Sequence, residues 1–170
     1  MDEKRKILDI IQPRAVLQAM TDEAIEAIPV GQRIEEYVVI RKFPFKVGRE
    51  SRVRKISGNI ERVERSRNTV QKPSNDLYLV DKGQPLNISR EHVQIEKVNN
   101  GYRLVDRASA CGTKLEGEPI GGRDRGGMAT LHDGDIFALG TAKTPYLFRF
   151  IALEDEFDWK RKKAVLISDR

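Results

Sequence analysis

Cysteine occurs once in this chain, at Cys111, so no internal disulfide can form; the two histidines, His92 and His132, fall short of the ligand count of an ordinary zinc site. Neither a metal nor another cofactor is expected. Nothing approaches the roughly 20 consecutive apolar residues that a membrane helix needs. The opening MDEKRKILDII has no long apolar run ahead of a small-residue cleavage site. The expectation is a cytoplasmic protein with no membrane partner. Aromatic residues make up only 6%, and none lies between Phe45 and Tyr78. Glycine-rich phosphate loops with a following Lys-Ser/Thr or a βαβ context are missing, and no serine or cysteine nucleophile motif comes with a carboxylate partner. Catalytic residues are therefore not expected, nor is an enzyme.

What is there is a chain of 170 residues with a formal charge of +5, long enough for one core and a small appendage. Residues 1–36 hold eight acidic and five basic side chains, so the positive charge lies elsewhere. Ile7, Leu8 and Ile11 cluster, and Val16, Leu17, Met20, Ala24, Ile25 and Ile28 recur at three- and four-residue steps, which predicts helices over this stretch. Thr21 followed by Asp22 and Glu23 reads as an N-cap, and Pro29 as the end of the segment.

From residue 37 the texture changes. YVVI at 37–40, PFKV at 44–47, LYLV at 77–80, HVQIEKV at 92–98 and YRLVD at 102–106 are rich in β-branched and aromatic residues, several of them alternating. Asn99, Asn100 and Gly101 supply the tight turn of a hairpin. ATL, DIFALG and PYLFRFIAL follow, each bounded by Gly or Pro. Many short strands between turn signals predict an all-β sandwich over residues 37–153, preceded by a helical extension at 1–36 and followed by a charged tail at 154–170 that carries Trp159. Residues 51–73 hold seven Arg/Lys against two Glu, a net charge that equals that of the whole chain. This basic insertion reads as a long loop or a distorted hairpin. Without aromatics it lacks a stacking platform for bases, so nucleic-acid binding is the weaker account of its charge.

Three signatures occur in fixed order: VGRE at 47–50, SREHVQI at 89–95, and CGTKLEGEPI at 111–120 followed by LHDGDIFALG at 131–140. Together they resemble the forkhead-associated (FHA) family, whose fold is a SMAD/FHA-like β-sandwich. Arg49 alone would pass for a surface arginine. Placed where a strand opens into a loop, with Ser89 and Arg90 at the start of another, its guanidinium can fork onto phosphate oxygens.

The resemblance implies an adaptor that binds a threonine-phosphorylated protein or peptide, with a Ser/Thr kinase or its substrate among the candidate partners. It assigns Arg49 and Ser89 to the phosphate and Arg90 to the phosphothreonine and neighbouring peptide backbone. Ser109, Cys111 and Thr113 complete the implied binding set, while Gly48, His92 and Gly112 shape it and His92 braces a loop. One departure stands out: the family's Asn-Gly-Thr or Asn-Gly-Ser is here Cys111-Gly112-Thr113. A thiol is a weak donor and acceptor, which removes one anchoring bond to the ligand. Ala110, before it, lacks a hydroxyl. A phosphate-independent interaction domain of the same fold is the alternative reading.

Overall fold

The computed structural model describes residues 2–50, 53–56, 59–62 and 74–154. Its elements run α1 (Glu3–Ile11), β1 (Ala15–Ala19), α2 (Asp22–Ala27), a 3-10 turn (Val30–Gln32), β2 (Tyr37–Ile40), β3 (Phe45–Arg49), β4 (Val53–Ile56), β5 (Asn59–Arg62), β6 (Leu77–Leu79), β7 (Val93–Val98), β8 (Gly101–Asp106), β9 (Thr113–Leu115), β10 (Glu118–Gly121), β11 (Gly127–Leu131), β12 (Ile136–Leu139) and β13 (Leu147–Ala152). One sheet has the order β10-β9-β12-β13-β1-β2 and a second the order β11-β8-β7-β3-β6, while β4 and β5 pair only with each other. This is the expected all-β sandwich with a short N-terminal helix.

Period-two burial builds the sheets. Val93 and Ile95 of β7, and Tyr102 and Leu104 of β8, face inward while their neighbours are half-buried. From the other sheet Phe137, Phe148, Phe150, Leu17 and Ile40 close the core. The Tyr102 ring meets Phe150 edge-on at 4.9 Å, an aromatic contact that joins the two layers.

Two helices are present where the sequence predicted them, and Thr21 caps α2 by accepting from the Ala24 N–H. The stretch between them differs from expectation. Residues 15–19 are not helix but a strand of the larger sheet paired on both sides, with Leu17 opposite Phe150 on one side and Val38 on the other. Ala15, Leu17 and Ala19 are buried and alternate with half-buried Val16 and Gln18. Pairing on both sides overrides the helix propensity of alanine.

Of the basic insertion, only the β4–β5 hairpin belongs to the described residues; its remainder, and the charged tail beyond Glu154 with Trp159, lie outside them. No helix among the described residues is long and apolar enough to cross a membrane.

Candidate phosphopeptide site

Strand direction brings the signature residues together. β3 runs parallel to β6 and antiparallel to β7, with Val47 opposite both Leu77 and Val93, and Val93 in turn opposite Asp106 of β8. The ends of β3, β6 and β8 and the start of β7 therefore meet at one edge of the sandwich. There the loops at 80–92 and 107–112 converge beside Arg49.

Arg49 is held by its own backbone and side chain. Its N–H donates to the Ser89 carbonyl at 2.9 Å, its Nε to the Ile88 carbonyl at 3.0 Å and its Nη1 to the Glu50 carbonyl at 3.3 Å. These bonds fix the plane of the guanidinium at the end of β3. Gly48 makes that position possible: a Cβ there would lie 1.9 Å from the Arg90 carbonyl oxygen, far inside contact distance. The same carbonyl accepts from Asn75 Nδ2 at 2.7 Å, and Arg90 itself is half-buried.

His92 ties the loops. The ring is fully buried. Nδ1 accepts from the Ser89 N–H at 3.0 Å, so the proton sits on Nε2, which donates to the Gly112 carbonyl at 2.8 Å. Burial pushes its pKa below the usual histidine value, against the opposing pull of the Gly112 carbonyl, Asp106 and Asp81. A neutral imidazole with two fixed partners ties the Ser89 and Gly112 backbones together. Ser89 Oγ accepts from the Ala110 N–H at 3.0 Å. Among the described residues nothing takes the Ser89 hydroxyl proton, so that hydroxyl can still donate.

The third signature opens in the loop at 109–113. Ser109 and Thr113, expected among the ligand contacts, are fully buried. Both hydroxyls donate to Asp106 Oδ2 at 2.6 Å; Ser109 Oγ also accepts from the Gly112 N–H at 3.0 Å. They set the loop from inside. Gly112 carries φ +90°, and a Cβ on it would lie 2.6 Å from the Gly121 carbonyl. Cys111 is half-buried, its thiol donating to the Leu86 carbonyl at 3.3 Å, while Ala110 is exposed.

Two carboxylates that shape the site were not singled out in the sequence. Asp81 accepts from the N–H groups of Gly83, Asn87 and Ile88 at 2.8, 2.6 and 2.9 Å and so folds the loop that presents the Ile88 carbonyl to Arg49. The Tyr146 hydroxyl donates to it at 2.8 Å, and burial together with that carboxylate pushes the phenol pKa up to about 12. Asp106 does the same for residues 109–113. Each stands at a strand end before a loop, where Asx turns form, and Asp81-Lys82-Gly83 is a turn signal in its own right.

A buried imidazole brace, two carboxylate-organised loops and a strand-end arginine at one edge of a two-sheet sandwich define a loop-end recognition module. The family model of the FHA domain matches residues 46–140, more than half of the chain, and the chain belongs to that family. Similar solved structures include Mycobacterium tuberculosis EmbR in complex with a low affinity phosphopeptide, at 18% identity over 87% of this chain with a TM-score of 0.48; this chain covers 28% of that one. The kinase-interacting FHA domain of the kinase associated protein phosphatase KAPP in Arabidopsis is 22% identical, covering 82% of this chain and 93% of that one, TM-score 0.45. The FHA domain of an Arabidopsis thaliana hypothetical protein is 18% identical, with 84% and 86% covered and a TM-score of 0.45. No curated protein matches the sequence.

Proposed function

We propose that this chain is an adaptor that binds phosphothreonine peptides in Ser/Thr kinase-linked signalling and performs no chemistry itself. The observation that carries the reading is the presence of a fixed guanidinium and a hydroxyl at the same loop end: Arg49 donates through Nε to the Ile88 carbonyl, and Ser89 Oγ accepts from the Ala110 N–H, which leaves its proton to donate. A phosphate brings about −1.5 to −2 charges and three acceptor oxygens, and each charge-assisted bond to it contributes about 1.5–3 kcal/mol. Ser109 and Thr113 act through Asp106 on the shape of the loop, and Arg90 lies beside the phosphate residues.

The test is titration with phosphothreonine peptides and their unphosphorylated counterparts, repeated with Arg49→Ala, Arg49→Lys and Ser89→Ala. Selective binding of the phosphorylated form, weakened about 10- to 100-fold by Arg49→Ala and partly restored by the lysine, is the expected result. Equal binding of both forms would instead establish the second reading, a phosphate-independent interaction domain. That reading draws on Cys111, whose thiol is turned to Leu86, and on Ala110, which has no hydroxyl to offer.

A further inference from the structure

Before β2 the chain starts a hairpin that it does not continue. Ile34 and Tyr37 exchange both backbone hydrogen bonds at 2.9 Å across a Glu35-Glu36 turn, in which Glu35 has φ +54°. The next hydrogen-bonded pair of such a hairpin would set residue 32 against Val39. Gln32 is instead the last residue of the 3-10 turn, its N–H donating to the Pro29 carbonyl at 2.8 Å. Tyr37 turns its N–H and C=O away from β1, and by the period of two so does Val39. β2 is the last strand of its sheet, and among the described residues nothing takes up the outward backbone groups of Val39.

That open edge borders a cleft of about 290 Å³, lined by β2 from one sheet and by Phe45, the first residue of β3, from the other. Arg49 stands at the far end of β3, so the cleft lies on the flank of the sandwich and not at the recognition loops. Ile34, 67% exposed, gives it an apolar rim. Arg33 and Arg41 also line it. Arg33 spends Nη1 on the Glu35 carbonyl at 3.0 Å, while its Nε is buried with no acceptor among the described residues. A buried donor left unbonded is costly, so this one favours an occupant that accepts. Arg41 donates Nε to the Ile11 carbonyl at 3.3 Å, and among the described residues neither guanidinium has a carboxylate partner. The lining carboxylate, Asp76, is taken up by the Lys46 N–H at 2.8 Å. Glu35 and Glu36 sit in the turn and do not line the cleft.

We propose that the β2 edge is a second docking site, where a short extended segment of a partner protein pairs its backbone with Val39 and sets an aspartate or glutamate against Arg33 and Arg41. Strand addition supplies the backbone bonds, and a guanidinium matches a carboxylate in charge and in shape. A second copy of this chain fits less well, because Ile34 already holds the edge of Tyr37 and blocks an incoming β2 along part of its length. The segment needs no phosphate, so this site is separate from the phosphothreonine reading.

The whole chain, isotopically labelled, is titrated with an acetylated and amidated hexapeptide of alternating valine and threonine carrying one glutamate, and with its glutamine counterpart. Wild type, Arg33→Gln and Val39→Pro are compared, and thermal midpoints report folding. Proline is tolerated on a strand edge whose N–H faces outward, and it removes the donor. The expected result is amide shifts centred on Ile34 and residues 38–41, with the glutamate peptide bound about three- to tenfold more tightly than the glutamine one. Arg33→Gln should bring the two peptides to parity and leave the glutamine peptide bound as before, a split that a loss of folding would not give. Val39→Pro should weaken both about tenfold. Shifts confined to the loops at 80–92 and 107–112, no shift at Val39 at millimolar peptide, or equal binding of the two peptides by wild type overturns the site. Val39 shifts that follow protein concentration without peptide would put a second copy on this edge and overturn it likewise. Both peptides are unphosphorylated, so none of these outcomes bears on the phosphothreonine site.

Discussion

The imidazole of His92 can hold Ser89 and Gly112 together only while Nδ1 carries no proton. Burial lowers its folded pKa below the value of about 6.5 in the unfolded chain. Below that pH the unfolded chain binds the proton and the folded one resists it. The contribution to stability is complete above about pH 6.5 and declines as pH falls toward the folded pKa, with a slope of up to about 1.4 kcal/mol per pH unit. Denaturant unfolding between pH 8 and pH 5 is expected to show this loss in wild type and a flatter profile in His92→Gln. Gly48 is the second sensitive position. Because its Cβ would collide first with the Arg90 backbone carbonyl, and also with Asn75 Nδ2, Gly48→Ala is expected to cost more than about 2 kcal/mol, read from the denaturation midpoint. Both residues were named beforehand through the resemblance carried by VGRE and SREHVQI, which implies a shaping role for each. The inward turn of Ser109 and Thr113 was not. Their partner, Asp106, lies on the preceding strand, and which face of a loop a hydroxyl takes is decided by what lies behind it.

Among the elements, β1 is the one that sequence pattern misassigned. Ala15 and Ala19 favour helix by propensity, and the apparent three- and four-residue steps ran on into the true helix α2, so two short elements merged into one period. Only the flanking strands β2 and β13, distant in sequence, settle the matter. Strands β9 and β10, three and four residues long, were given no element of their own in the sequence, because so short a stretch carries almost no period. The longer strands and the Asn99-Asn100-Gly101 hairpin were plain because alternation and turn chemistry agree. Because β1 is paired on both sides and Leu17 is buried, Leu17→Ala opens a cavity between Phe150 and Val38 and is expected to destabilise by about 2–5 kcal/mol. A surface helix would lose far less. The α2 cap is a milder case. Thr21 Oγ1 accepts from the Ala24 N–H and donates to the Pro145 carbonyl, so Thr21→Ala is expected to cost about 1 kcal/mol in the same measurement.

At the scale of the whole molecule the sandwich has two ends held by different chemistry. Opposite the recognition loops, Glu154 follows β13 and receives bonds from Arg14, Lys97 and the Tyr102 hydroxyl, fastening the start of β1 to the β7–β8 turn end in the other sheet. Burial would raise the pKa of this carboxyl, but those three partners together hold it below the usual range. At the loop end Asp81 and Asp106 organise backbone N–H groups instead of cations. A rigid two-layer core lies between, so the ends should be separable. Glu154→Gln is expected to lower stability by about 1 kcal/mol, the modest figure of a partly exposed ion pair, and to leave the Kd for a phosphothreonine peptide within twofold of wild type. Asp106→Ala removes the acceptor of Ser109 and Thr113 and is expected to lower stability and raise Kd together. Denaturation and peptide titration on the same two variants check this. A Kd that moves with Glu154 would mean that the loop geometry is set through the sheets as a whole, whereas a Kd indifferent to Asp106 would place the ligand away from residues 107–112.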